Sequence, residues 1–416
     1  MKLPIFNIFK KKVASNDTIL ALDIGTEFVK TVLFVVDEVE NKIRIKGYGR
    51  CKQHPNAMQG AMIINIENVT NACDLAIGAA IANAEEKLVG NEAVNLVPRK
   101  VIMGIAGELV KGVTIMADYE REDPKAKIDE KELAEVITHI KEQAFDDAVI
   151  DIAEEIGVNA QSLLEINTKI NATYIDSVKV DDPKGFTGKN ITYRVYATFA
   201  PAIHINSLKE VARNLSLNIV SIEVEPYAVA RAINGGRKAD YSAIIVDIGG
   251  GTSDVALIDQ GVVAGTKMFA FGGRVFTKRI QHDLHIEDLL EAEGKKIDYS
   301  KGKLDKLEHA QIKSALVKDM PIWAEGVELS LKEVEEDIPG YPAVIYICGG
   351  ASALPEIKQA LLEHPWLQVL PLAKFPKIEF LYPKNLAEIE DLTGSISDPA
   401  DITPLALARM YLENKS

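Results

Sequence analysis

Residues 243–258 read AIIVDIGGGTSDVALI: an apolar run that reaches Asp247-Ile248, bends through three glycines and a threonine, and resumes as a second apolar run. Two β-rich stretches around a glycine turn predict a hairpin. Residues 20–34, LALDIGTEFVKTVLF, follow the same plan with a shorter turn at Gly25-Thr26. The two share Asp-Ile-Gly, and their aspartates, Asp23 and Asp247, lie a whole domain apart in the chain. A repeat at that spacing predicts two related α/β halves.

The pattern continues outward from each hairpin. Residues 43–49 form a third strand, and the helical spacing of Val69, Cys73, Ala76, Ile77, Ala80, Ile81, Ala84 and Leu88 predicts an amphipathic helix. Strands at 100–106 and 110–116 precede an acidic helix from Asp129, its N-cap, to about 147. Paired strands at 164–180 and 190–200 flank the loop Asp182-Pro183-Lys184-Gly185-Phe186-Thr187-Gly188. Residues 98–199 are thus expected as an inserted α+β subdomain. A helix at 207–216, a strand at 219–224 and a helix opened by Glu225-Pro226 lead to the turn Gly235-Gly236. Beyond the second hairpin, a polar helical stretch runs from 274 to 337. The strand VIYIC (344–348) ends in Gly349-Gly350, and Thr403-Pro404 reads as N-cap and first residue of a closing helix, 405–412.

Composition narrows the function. Of 416 residues, 47% are apolar and 26% charged, as in a globular protein with room for two or more domains. The net charge of −14 opposes a phosphate backbone, and no long basic run offsets it, so nucleic acid is not an expected partner. The three cysteines have no short spacing and predict neither a disulfide framework nor a zinc cluster. The spacing of His282 and His285 would set both on one face if a helix spans them, but no further ligands join them in a motif. No apolar run is long enough for a transmembrane helix. At the start, Leu3, Ile5, Phe6, Ile8 and Phe9 precede Lys10-Lys11-Lys12, which suits either an interfacial membrane contact or a tail.

The two turns suggest a chemistry. Backbone N–H groups in tight glycine turns bind phosphate oxygens without side-chain bulk. Gly25 and Thr26 supply one such turn, and Gly249, Gly250, Gly251 and Thr252 a second. Asp23 and Asp247 repel phosphate but suit Mg2+ held through water. Lys30 is placed to neutralise phosphate charge. One such turn is also the ordinary choice for a tight hairpin; two, each ending an apolar strand, point to a nucleotide. Gly349-Gly350 is either a plain turn or a close approach to a ligand. Glu225 either complements a helix dipole or orients an attacking water.

Together, LALDIGTEFVK, IEVEPYAVARAI, IIVDIGGGTSDVALI and VIYICGGASALPEI resemble the two phosphate motifs, the connecting segment and the adenosine motif of the actin, DnaK-chaperone and sugar-kinase superfamily, in the family's order. The resemblance implies an actin-like, ribonuclease H-like duplicated α/β fold that binds ATP and Mg2+ between its halves. The inserted subdomain narrows it to the FtsA cell division family, with the pilus-assembly PilM family second. IKGYGRCKQ (45–53), INATYIDSVKVDDPKGFTGKNITYRVYATFAP (170–201), FGGRVFTKRI (271–280) and AEGKKIDY (292–299) are similar to FtsA segments. The resemblance makes the insertion SHS2-type, places Gly273 at the nucleotide, and assigns ribose or base contacts to Glu293 and Lys296.

The resemblance also implies domain limits and partners. Residues 17–97 and 200–240 with the closing helix would form the first actin-like domain, 241–266 and 341–402 the second, and 267–340 its small subdomain. That subdomain would receive the C-terminal peptide of the tubulin-like FtsZ, beside Lys278, Arg279, Lys295, Lys296, Lys301, Lys303 and Lys306. Self-association into filaments and, at most, slow ATP hydrolysis are expected. FtsA proteins end in a membrane-binding helix; with this sequence stopping at Ser416, the expected membrane contact shifts to residues 1–12. The expected location is cytoplasmic, at the inner face of the cell membrane. A PilM-like reading instead uses a peptide groove in the inserted subdomain. A sugar kinase or chaperone ATPase would need a substrate base or substrate domain, and none stands out.

Overall fold

The computed structural model describes residues 17–106, 110–233, 241–334 and 340–414. The N-terminal segment 1–12 and the Gly235-Gly236 turn lie outside the described residues. In chain order, the first lobe opens with β1 (Ile19–Ile24), β2 (Phe28–Asp37), β3 (Lys42–Lys52), the short β4 (Met58–Gln59) and β5 (Met62–Ile63), α1 (Ile66–Lys87) and β6 (Lys100–Ile105). The insertion holds β7 (Lys111–Glu120), α2 (Glu130–Ile156), β8 (Leu163–Ile175), β9 (Val178–Val180) and β10 (Asn190–Pro201). The chain returns through α3 (Ala202–Asn214), β11 (Asn218–Val224) and α4 (Glu225–Ala232). The second lobe comprises β12 (Ala243–Ile248), β13 (Ser253–Asp259), β14 (Val262–Phe269), α5 (Gly273–Asp283), α6 (Leu289–Ser300), α7 (Lys306–Leu316), α8 (Met320–Val334), β15 (Val344–Cys348), α9 (Pro355–Glu363), α10 (Trp366–Val369) and β16 (Lys377–Phe380). β17 (Ile389–Asp391) and α11 (Ile402–Glu413) close the described chain.

The duplication is visible in the sheets. One runs β11-β6-β1-β2-β3-β17 and the other β14-β13-β12-β15-β16. In each, three antiparallel strands come first and two parallel strands are added beside the opening strand. Every residue of β1 and β12 is buried, as expected of central strands covered on both faces. α4 and α11 occupy matching places after the last parallel strands and pack on one another between the lobes. Ile245, Ala256, Ile258 and Cys348 of the second sheet therefore join the first lobe's core. Trp323, Phe276 and Trp366 fill the second lobe on the sheet's other face.

The sheets move several expected boundaries. β6 pairs in parallel with β1, so residues 100–105 belong to the first lobe and the insertion begins after them rather than at 98. β14 runs to Phe269, past the expected limit at 266, because it stays paired to β13 through Ser253↔Phe269. β17 pairs with β3, returning the chain to the first sheet before residue 402. The acidic helix reaches Ile156, where Gly157 adopts φ 69° as its left-handed cap. Thr403 is not the N-cap of the closing helix: α11 begins at Ile402 and Thr403 lies in its first turn.

The insertion is a four-stranded antiparallel sheet, β7-β10-β8-β9, covered by α2. Asp129 caps α2 by accepting from the Glu132 amide. Arg121, almost wholly buried, holds the subdomain's polar side together. Its Nε and Nη2 donate to Glu132 at 2.6 and 2.8 Å, and its Nη1 to the Gly188 carbonyl at 2.9 Å. Removing one partner of a buried pair costs about 3 kcal/mol or more. Arg121→Leu is expected to raise amide exchange throughout 111–201 while β1 and β12 stay protected; unchanged exchange in the insertion contradicts this.

Candidate functional site

Both hairpins turn by the same local bond. The Gly25 amide donates to the Phe28 carbonyl at 3.1 Å, and the Gly249 amide to the Thr252 carbonyl at 2.9 Å. The turns meet across the lobes. A Cβ on Gly251 would lie 2.8 Å from Thr26 Oγ1, and one on Gly250 2.5 Å from Glu27 Cγ, so only glycine admits this approach. Arg274 ties the contact by donating from Nε to Glu27 at 2.6 Å and from Nη2 to the Thr26 carbonyl at 3.2 Å. The Gly249 and Gly250 carbonyls accept from the Gly273 and Arg274 amides at the start of α5, at 2.9 and 2.8 Å. In a trans peptide the next N–H points the opposite way, so the Gly250 and Gly251 amides face away from α5.

Beneath the turns lies a cleft of about 1000 Å³, a figure that includes the open solvent at its mouth. Its walls contain every residue expected at the nucleotide: Asp23, Gly25, Thr26, Lys30, Glu225, Asp247, Gly249, Gly250, Gly251, Thr252, Gly273, Glu293, Lys296, Gly349 and Gly350. Residues hundreds of positions apart thus share one cavity. Glu293 and Lys296, one turn apart on α6, are paired at 2.7 Å. The Lys296 ammonium also donates to the Gly273 carbonyl at 2.8 Å and to Thr277 Oγ1 at 2.7 Å. Gly349, at φ 85°, ψ 165°, brings the turn after β15 against Asp247.

Four carboxyl groups crowd the floor. Strand register places Asp23 opposite Lys30 and Asp247 opposite Asp254, the same seven-residue offset in both hairpins. Lys30 Nζ stands 3.4 Å from Asp23 Oδ2. Burial raises the Asp23 and Asp247 carboxyls despite the opposing pull of Lys30. Burial also pushes Asp254 and Glu225 well up, reinforced by neighbouring carboxylates. Burial disfavours the Lys30 ammonium, but Asp23 and Asp247 outweigh it and raise its pKa. Asp254 Oδ1 is buried without a hydrogen-bond partner. Among the described residues no three carboxylate, imidazole or thiol groups converge as direct metal ligands. The carboxylates that line the cleft are oxygen donors, the ligand type of a hard cation that keeps water in its shell.

The sequence reading missed several of these residues. Asp254 was detectable as an acid inside an otherwise apolar strand. Thr403 carries no local signal: its hydroxyl donates to Asp247 Oδ2 at 2.8 Å across 156 positions. Arg274 and Glu27 likewise meet only through the fold. Of the basic residues offered for peptide docking, Arg279 is held by Asp319 at 2.7 Å, Lys295 by Glu308 at 2.7 Å and Lys296 by Glu293. Lys278, Lys301, Lys303 and Lys306 remain exposed.

The raised carboxyls have a pH consequence. A carboxyl whose folded pKa exceeds its unfolded value holds extra protons in the native state, so stability falls as pH rises from about 4 through the folded pKa. Asp254→Asn removes one such charge. At pH 8 it is expected to raise the nucleotide-free thermal midpoint by about 2–4 °C and to flatten its decline with pH. A lower midpoint at pH 8 contradicts the assignment.

Duplicated lobes that close two aspartate-led glycine turns over one cleft define the actin-like ATPase fold. A solved chain of a PilM-PilN type IV pilus biogenesis complex shares it, with TM-score 0.61 and 17% identity, over 94% of this chain and 97% of that one. In sequence the chain is FtsA-like. It is 25% identical over 267 residues to the cell division protein FtsA of Neisseria meningitidis serogroup B, covering 64% of this chain and 58% of that protein. It is 20% identical over 362 residues to FtsA of Enterococcus faecalis, covering 83% and 76%. The chain thus matches less than two thirds of the Neisseria protein's length. No family model matches it, and no described helix is long and apolar enough to cross a membrane.

Proposed function

We propose that this chain is an FtsA-like cell division protein that binds Mg-ATP in the cleft, assembles into actin-like filaments and links the C-terminal peptide of FtsZ to the inner face of the cytoplasmic membrane. The observation that carries the nucleotide reading is the meeting of the two glycine turns above Asp23, Lys30, Asp247 and Asp254. The Gly250 and Gly251 amides, Thr26, Thr252 and Lys30 would hold phosphates. Asp23, Asp247 and the unpartnered Asp254 oxygen would face the water shell of Mg2+. Gly273, Glu293, Lys296, Gly349 and Gly350 would line the adenosine. Bound magnesium would neutralise the phosphate chain against these acids. The likeness to FtsA sequences supports the cell division role, with residues 1–12 as the membrane contact and 270–334 as the FtsZ-binding part.

Glu225, at the start of α4, stands on the cleft wall with Gly104 so close that a Cβ there would come within 2.4 Å of Oε1. There it would orient water for slow hydrolysis. Glu225→Gln is expected to keep Mg-ATP affinity within about threefold while lowering phosphate release roughly 10-fold or more. Unaltered release removes Glu225 from that role.

A PilM-like adaptor is the second reading, favoured by the match in fold along nearly the whole chain. Calorimetric titration of the chain with an FtsZ C-terminal peptide, and separately with an N-terminal peptide of a pilus membrane protein, decides between them. Binding of the FtsZ peptide alone is expected; binding of the pilus peptide alone overturns the division role.

A further inference from the structure

We propose that Arg50 reads the terminal phosphate, so that the cleft distinguishes a nucleoside triphosphate from a diphosphate. This rests on the nucleotide reading of the cleft and adds to it a residue that belongs to none of the phosphate or adenosine motifs.

Register sets Asp23, Lys30 and Arg50 in one row across β1, β2 and β3, and all three line the cleft. The Arg50 guanidinium carbon lies 3.5 Å from the centroid of the Phe28 ring. Phe28 closes the first glycine turn through its carbonyl, so the stacked group is fixed relative to that turn. Stacking on a ring holds a guanidinium's plane while leaving its N–H edge available to a phosphate.

The other cations of this region are already engaged. Lys30 faces Asp23 at 3.4 Å, Lys296 faces Glu293 at 2.7 Å, and Arg274 faces Glu27 at 2.6 Å. Arg50 has neither hydrogen bond nor ion pair among the described residues, and its side chain is exposed at the cleft mouth. Its charge nevertheless reaches Asp23, whose carboxyl it lowers against the dominant effect of burial. A cation free of carboxylate partners, beside a floor rich in acids, complements an added dianionic phosphate better than a chain that ends one phosphate earlier. Glu293 and Lys296 stand on the second lobe, whereas Arg50 stands on the third strand of the first. This is where the far end of a phosphate chain would lie if the adenosine sits by α6.

The test titrates the full chain, with magnesium, against ADP and against a non-hydrolysable ATP analogue. Arg50→Gln is expected to weaken the triphosphate roughly 10- to 100-fold and the diphosphate less than about threefold. Arg50→Lys, which keeps the charge but not the planar fork, is expected to fall between wild type and Arg50→Gln, with an unchanged thermal midpoint in the absence of nucleotide. Equal weakening of both nucleotides, or of neither, overturns the role of Arg50 while leaving the cleft reading intact. If the wild-type chain binds neither nucleotide, both readings fall together.

Discussion

Gly349→Val is expected to destabilise the protein by about 3–5 kcal/mol, combining a backbone conformation open essentially only to glycine with overpacking of a tight site. At φ 85° and ψ 165° a side chain is strained whatever space surrounds it. There is also no space: a Cβ would lie 2.1 Å from Asp247 Oδ1 and 2.5 Å from the Ile248 carbonyl. Asp247 cannot retreat freely, because its strand pairs with β15 and Thr403 holds its other oxygen. Gly350→Ala is the matched control, since a Cβ there meets nothing within 4 Å. Denaturant titration of both variants checks this. A Gly349→Val loss below about 1 kcal/mol would show that the turn relaxes without cost.

Lys30→Met is expected to weaken Mg-ATP binding about 100-fold, the scale of one lost charge-assisted contact of roughly 2.7 kcal/mol. Lys30 is the cation among the buried acids of the floor, and both Asp23 and Asp247 depend on it for compensation. Its removal leaves their carboxyls raised further by burial. The nucleotide-free variant should therefore lose stability more steeply than wild type as pH rises above about 4. Calorimetry across pH 5–8 measures both effects. Retention of full affinity would place the phosphates away from β2.

Much of the site could be read from local pattern. A glycine turn at the end of an apolar strand is a short-range feature, and two of them at domain spacing announce a duplicated fold. Residues inside those motifs, Asp23, Gly25, Thr26 and Lys30 in the first and Asp247 and Gly249 to Thr252 in the second, consequently lie together on the cleft wall. The inserted strands and α2 were legible for the same reason. Their limits were not, because a parallel strand finds its neighbour across long connections: β6 and β17 show where they belong only by pairing with β1 and β3.

What the sequence determined by itself was the pair of turns and the repeat that relates them, since backbone conformation and strand alternation are set by neighbouring residues. Tertiary structure alone decided the electrostatic balance of the cleft. Arg274 on Glu27, Thr403 on Asp247 and Arg50 on Phe28 are contacts between separate elements. Their strength depends on distance through a buried interior rather than on separation along the chain.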